Sequence, residues 1–259
     1  TKKGEWYAGY FRRQIEKKII APMKETYGVD YSDEKLMDAI ERHNEVCRLI
    51  TEIGNFRKLD VPTITGYEFH VIQLVSQVCP KYLIVDKLRE TLEELKTRKP
   101  DEKPQYRVRV MLAGSEIDDP EFTKLVEMCG AQVVADRYCF GSLPGREQII
   151  VNAGQDPMDA LAEHYMRINE CPRTMGTESI ISRKNYLYDI AGEYKADGII
   201  LQNMKFCEYW GYERALASYV MSEDYGVPTA AVDRQYTASA SGQLRTRVQA
   251  FVESLEIKK

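Results

Sequence analysis

The chain is 259 residues long, 44% hydrophobic and 29% charged, with 36 basic against 40 acidic side chains and a formal charge of −4. Its apolar runs, such as Gly198-Ile199-Ile200-Leu201, fall far short of the roughly 20 residues of a membrane helix. No charged-then-apolar leader opens it, and no Lys/Arg block offers the basic face of a nucleic-acid binder. These features argue against membrane spanning, secretion and a nucleic-acid partner, and the chain reads as cytoplasmic.

The chain starts on Thr1 and enters a helical pattern almost at once, with Trp6, Tyr7, Tyr10, Phe11, Ile15 and Ile19, so its start reads as the boundary of a fragment or processed product. Ser32 before Asp33 and Glu34 is a helix-start signal, followed by Leu36, Ile40, Cys47 and Ile50 at helical spacing. Thr65 with Glu68 three residues on predicts a capping box, opening a helix whose apolar side carries Phe69, Ile72 and Val75. A third helix carries Leu88, Leu92 and Leu95 and runs into the polar stretch 96–105, which holds Pro100 and Pro104 and reads as a linker. The division is therefore a helical segment and linker over 1–104, then a second domain over 105–259.

From there strands alternate with helices. Strands are predicted at 107–113, 132–136, 198–202 and 228–232. Helices are predicted at 120–128, 157–166, 179–194, 210–222 and 242–255. Short apolar strands separated by helices imply a parallel sheet covered on both faces. The fold class is α/β: a four-stranded parallel Rossmann-like or flavodoxin-like sheet preceded by a helical segment.

Ligands of such sheets bind beyond the carboxyl ends of the strands, where loops and helix N-termini expose free N–H groups. Four loops qualify: 114–116, 136–142, 203–208 and 233–236. Ser115, Cys139 and Ser142 lie in them, and Gln243 with Arg245 opens the last helix; these five are the candidate substrate-binding residues. Arg245 and Arg247 place cations where a helix dipole opposes them, which calls for a compensating carboxylate or ligand phosphate. The acidic run Asp118-Asp119-Pro120-Glu121 is read as a helix start.

GxGxxG, P-loop and GxSxG signatures are all absent. The three histidines, His43, His70 and His164, lie in predicted helices without an HExxH pattern and are read as structural or solvated. Six cysteines, at 47, 79, 129, 139, 171 and 207, include no CxxC pair, which argues against a zinc ribbon or a disulfide framework. Scattered loop cysteines remain compatible with an iron–sulfur cluster.

At these loops the sequence resembles the 2-hydroxyacyl-CoA dehydratase and ATP-dependent benzoyl-CoA reductase subunits. The matching stretches are Val108-Arg109-Val110-Met111-Leu112-Ala113-Gly114-Ser115, Asp118-Asp119-Pro120-Glu121-Phe122, Cys129-Gly130-Ala131 onward to Asp136, and Cys139-Phe140-Gly141-Ser142. Cys171-Pro172-Arg173, Ala196-Asp197-Gly198-Ile199-Ile200, Lys205-Phe206-Cys207-Glu208 and the run from Gly242 to Phe251 continue the likeness. The resemblance implies a [4Fe–4S] cluster in an acyl-CoA pocket, a related paralogous subunit as partner, and an ATP-hydrolysing iron–sulfur activator that delivers low-potential electrons. It makes Cys207 the family's last cluster ligand and metal-site candidate, with the other ligands in an N-terminal domain outside these residues. Cys139 and Cys171 match family cysteines and are read as pocket-wall or structural residues. Phe206, Tyr209 and Trp210 would wall a dry cavity beside Cys207.

The wording of residues 139–145 and of Asp233-Arg234-Gln235-Tyr236 favours the reductase side, so the expected function is a partial iron–sulfur subunit of a benzoyl-CoA reductase-type enzyme. The alternative is a 2-hydroxyacyl-CoA dehydratase subunit acting through a ketyl radical. A second alternative is a non-catalytic partner subunit or a metal-free coenzyme-binding protein.

Overall fold

A computed structural model describes residues 5–100, 106–139, 141–142, 147–168, 171–173, 176–235 and 241–259. Helix α1 (Glu5–Ile15) passes through a π-helical turn into α2 (Ala21–Tyr27), which stops at Gly28 in the left-handed region. Neither the π turn nor α2 buries a residue, and α1 is held mainly against the later helix α7 (Pro157–Arg167). Arg12 reaches Asp156 at 2.9 Å and Asp159 at 2.6 Å there.

Helices α3 (Asp33–Asn55), α4 (Gly66–Val78) and α5 (Lys81–Thr97) share one core, in which Ile53, Phe69, Leu88 and Leu92 are buried. Each such side chain removed from water contributes about 1.5–3 kcal/mol. The capping box at Thr65 and Glu68 forms as expected. The inward stripe of α4 differs from the predicted one: Gly66, Phe69, His70, Gln73 and Ser76 are buried, whereas Val75 is exposed. The cause is that α4 packs on α6 and β2 as well as on its fellow helices, so its buried face takes in polar residues, among them His70, which bonds Thr123 and the Ile117 carbonyl. Helix α5 extends to Thr97, into the stretch read as a linker, and residues 101–105 lie outside the described ones.

The sheet has four parallel strands, β1 (Val108–Gly114), β2 (Ala131–Arg137), β3 (Gly198–Met204) and β4 (Thr229–Arg234), in the order β2-β1-β3-β4. The predicted α/β class and strand count are the ones found. Successive side chains of a strand face opposite ways. Val108, Val110 and Leu112 therefore pack toward α6 (Pro120–Met128) and α10 (Ser241–Lys258), with Val126, Val248 and Val252. Met111 and Ala113 pack toward α8 (Thr177–Glu193) and α9 (Glu208–Glu223), with Leu187, Ala217 and Met221. Both faces are covered, which is why the strands read as continuous apolar runs.

Two polar devices fasten the helices to this sheet. The Glu127 carboxylate accepts the free N–H groups of Gly66 and Tyr67 at the start of α4, at 2.7 and 3.2 Å, and also the Val133 N–H of β2. A side-chain anion thus satisfies a helix N-terminus across the interface. Arg109 of β1 donates to the carbonyls of Arg57, Leu59, Tyr194 and Lys195.

Candidate functional site

The strand order reverses direction between β1 and β3, so the crevice beyond their carboxyl ends is the topological switch point of the sheet. Ser115 stands there. Gly114 precedes it with φ +139°, and an added Cβ would lie 1.9 Å from the Gln202 carbonyl oxygen, so the β1 loop leaves the sheet through a position that only glycine can occupy. Ser115 is buried: its N–H donates to the Gln202 carbonyl at 3.2 Å, and its Oγ accepts from the Met204 N–H and the Gln202 amide. The hydroxyl thereby sets the course of the loop after β3.

That loop is a tight turn. Phe206 takes φ +74°, unusual for a bulky side chain, and is 98% exposed. Cys207 follows at the N-cap of α9, half-buried, and makes no capping hydrogen bond. The Cys207 carbonyl accepts from Gly211, so the thiol sits at the mouth of a helix whose first turn carries the buried Trp210. Helix α9 is fixed from behind by a two-pronged buried ion pair, Arg183 to Glu213, at 3.0 and 2.9 Å. The buried Arg137 guanidinium at the end of β2 lies 5.2 Å from the Trp210 ring.

The loop after β2 carries Tyr138, Cys139, Gly141 and Ser142; Phe140 lies outside the described residues. Cys139 is exposed, but dense protein on its inner side, together with the negative charge that Cys171 would carry, pushes its thiol up, while Arg137 pulls the other way. Glu116 and Cys207 push it up as well, more weakly. Ser142 is buried, with its N–H 2.6 Å and its Oγ 2.9 Å from Asp136 Oδ1.

Behind Gly141 and Ser142 is a cavity of about 50 Å³, walled also by His43, Cys47, Gln73, Gln77 and Lys81. His43 and Cys47 touch at 3.3 Å; burial holds the imidazole down at about 4 and pushes the thiol up to about 11, so both are neutral near pH 7. Burial likewise lowers the pKa of His70, whose Nε2–H donates to the Ile117 carbonyl while Nδ1 accepts from Thr123. His164 is buried with its own pKa lowered.

The five proposed substrate-binding residues thus separate. Ser115 and Ser142 are buried in the loop frames, and Cys139 is at the surface of its loop. Gln243 and Arg245 are exposed on the first turns of α10. Among the described residues neither Arg245 nor Arg247 has a carboxylate within ion-pair distance; Asp233, which feels the charge of Arg247, is bound by Arg214 at 2.7 Å. The aromatic wall expected beside Cys207 is only partly built: Trp210 is buried, Tyr209 is half out, and Phe206 points into solvent because its left-handed backbone turns it away from the sheet. Asp119 caps α6 by accepting from the Glu121 N–H. Sequence reasoning missed Arg57, Asp136 and Gln73, polar residues buried behind the loops. No spacing signal in the sequence pairs Arg57 with Asp136, which lie 79 residues apart.

Fold and edge define the class: a doubly covered parallel sheet whose loops beyond the carboxyl ends of β2 and β3 carry Cys139 and Cys207. The chain belongs to the 2-hydroxyglutaryl-CoA dehydratase D-component family, whose model matches residues 2–255. It is 27% identical over 247 residues to the (R)-phenyllactyl-CoA dehydratase beta subunit of Clostridium sporogenes, covering 95% of this chain and 63% of that one. It is 23% identical over 239 residues to the lactoyl-CoA dehydratase subunit beta of Anaerotignum propionicum, covering 92% and 62%. The chain therefore spans about three-fifths of the length of these relatives. Both relatives carry dehydratase names, so the comparisons fit the dehydratase alternative better than the benzoyl-CoA reductase reading.

The donor set can be tested against a cubane cluster. Cys207 offers an uncommitted thiol, but among the described residues no group of three His, Cys, Asp or Glu side chains is placed to hold a metal ion. A cubane needs about four ligands, so these residues alone do not fit one. Among the described residues no helix is long and apolar enough to cross a membrane.

Proposed function

We propose that this chain is part of a subunit of a 2-hydroxyacyl-CoA dehydratase, which removes water from an acyl-CoA thioester bearing a 2-hydroxyl group. The observation that carries the reading is the family match over nearly the whole chain, joined to loops beyond the strand ends that carry Cys139 and Cys207. A paired related subunit and an ATP-hydrolysing iron–sulfur activator complete the assembly, and the cytoplasm is its compartment. In it Cys207 is one ligand of a [4Fe–4S] cluster whose other ligands come from elsewhere in the assembly. Ser115 holds the Cys207 turn in register, Cys139 and Ser142 form one wall of the acyl pocket, and Gln243 and Arg245 supply polar contacts to the coenzyme A portion from the start of α10.

This chain's residues contribute position and dryness. The Arg183–Glu213 pair fixes α9, and the buried Arg137 places a cation beside the site, where developing negative charge on a thioester is stabilised in a low-dielectric setting. The test is turnover by the anaerobically purified gene product with its paired subunit and activator. Loss of water from 2-hydroxyacyl-CoA thioesters without reduction of benzoyl-CoA supports the reading. Reduction of benzoyl-CoA without dehydration contradicts it.

A further inference from the structure

The loop after β2 is not held by its own backbone alone. Asp136, the penultimate residue of β2, is buried and has its carboxylate divided between two elements far apart in sequence. Its Oδ1 accepts from the Ser142 N–H at 2.6 Å and from the Ser142 hydroxyl at 2.9 Å. Its Oδ2 faces Nη1 of Arg57 at 3.2 Å. Arg57 belongs to the turn that ends α3; it is 1% exposed, and its guanidinium lies 3.7 Å from the Phe69 ring centroid.

Among the described residues Arg57 makes no other side-chain hydrogen bond: Nε and Nη2 are buried without partners. A buried cation so incompletely satisfied is costly unless the carboxylate it pairs with is kept in place. Around this pair the loop is tight. Gly141 donates to the Tyr138 carbonyl at 3.0 Å, and a Cβ on Gly141 would lie 2.3 Å from Asp136 Oδ1. Gln77 of α4 adds a hydrogen bond to the Gly141 carbonyl at 3.3 Å.

We infer that Arg57 and Asp136 are positioning residues: the helical segment, through Arg57, fixes the Asp136 carboxylate, which in turn holds Ser142 and sets where the Cys139 wall stands at the carboxyl edge of the sheet. The inference rests on the proposed dehydratase reading for the use of that wall, and on hydrogen bonds alone for the clamp. Neither residue touches substrate. Their effect travels through two bonds to Ser142.

The experiment replaces the pair with apolar side chains of similar volume, R57M/D136L, in the gene product with its paired subunit and activator. Such a swap removes a buried ion pair without leaving an unpaired charge, but it also takes the acceptor from the buried Ser142 N–H and hydroxyl. Expected are a folded protein with a melting temperature lowered by several degrees and hydrogen exchange of the Tyr138, Cys139, Gly141 and Ser142 amides faster by about ten-fold. The KM for the acyl-CoA thioester rises while kcat and iron content stay near wild type, and R57K with native Asp136 restores the KM. Should the apolar pair fail to fold, S142A carries the test, with exchange at the loop faster by a few-fold for one lost hydrogen bond.

Wild-type exchange in either folded variant overturns the clamp, and faster exchange with an unchanged KM overturns its link to the site. If wild-type protein turns over no 2-hydroxyacyl-CoA at all, the functional reading fails, and the exchange result still decides the clamp.

Discussion

The loops that leave β2 and β3 stand at one sheet edge, each carrying a cysteine, and are built in opposite ways. After β2 the chain is pinned by buried polar bonds, Asp136 to Ser142 and to Arg57, with a glycine wedged between. After β3 the turn is pinned at its root by Ser115 and Gln202, but its tip is strained and bare, with Phe206 left-handed and in solvent. One loop is locked in place and the other is a presented tip. A surface that must receive a partner or a cofactor keeps its unsatisfied groups outward, whereas a surface that must not move spends hydrogen bonds internally.

The contrast breaks most sharply at Asp136. Asp136→Asn leaves Arg57 buried without its anion and costs about 3–5 kcal/mol in denaturant unfolding; a loss under about 1 kcal/mol would show that the pair is not buried as described. At the root of the other loop, Gly114→Ala forces a Cβ onto the Gln202 carbonyl in a backbone conformation that alanine avoids, and stability falls by about 2–3 kcal/mol. The tip responds with the opposite sign. Phe206→Gly relieves the left-handed strain at little loss of packing, so the isolated chain gains about 1 kcal/mol, read from the urea midpoint.

The smallest effect at neutral pH is the acid response of the cavity behind the β2 loop. His43 has its folded pKa depressed to about 4 from the ordinary 6.5, so the unfolded chain binds the proton first. Stability is therefore present above pH 6.5 and falls as pH drops from there toward 4. In His43→Asn the slope of unfolding free energy against pH over that window is shallower by up to one proton; an unchanged slope would mean that the imidazole is already free to protonate.

Much of this architecture was legible. The β strands were readable because both faces are covered, so the apolar runs 108–113 and 198–201 had no helical competitor, and the Thr65–Glu68 capping box announced α4 from side-chain chemistry local to four residues. Local patterns could not show that α4 turns His70, Gln73 and Ser76 inward, since that depends on α6 and β2, contributed about fifty residues later along the chain. The same limit hid Arg57 and Asp136, separated by 79 residues along the chain. Its place in the loop after a predicted strand set Cys207 apart from most of the other cysteines, but its reading as a cluster ligand came only through resemblance, because a lone cysteine between Phe206 and Glu208 carries no spacing signal. The expected wall of Phe206 failed on a backbone angle that sequence does not display.

The account turns on the Cys207 thiol, and the most direct measurement is the iron and acid-labile sulfide content of the anaerobically purified gene product in complex with its paired subunit, wild type against Cys207→Ala. The account predicts that the variant keeps its fold and its partner and loses the iron of one cubane. Iron and sulfide equal to wild type would contradict it.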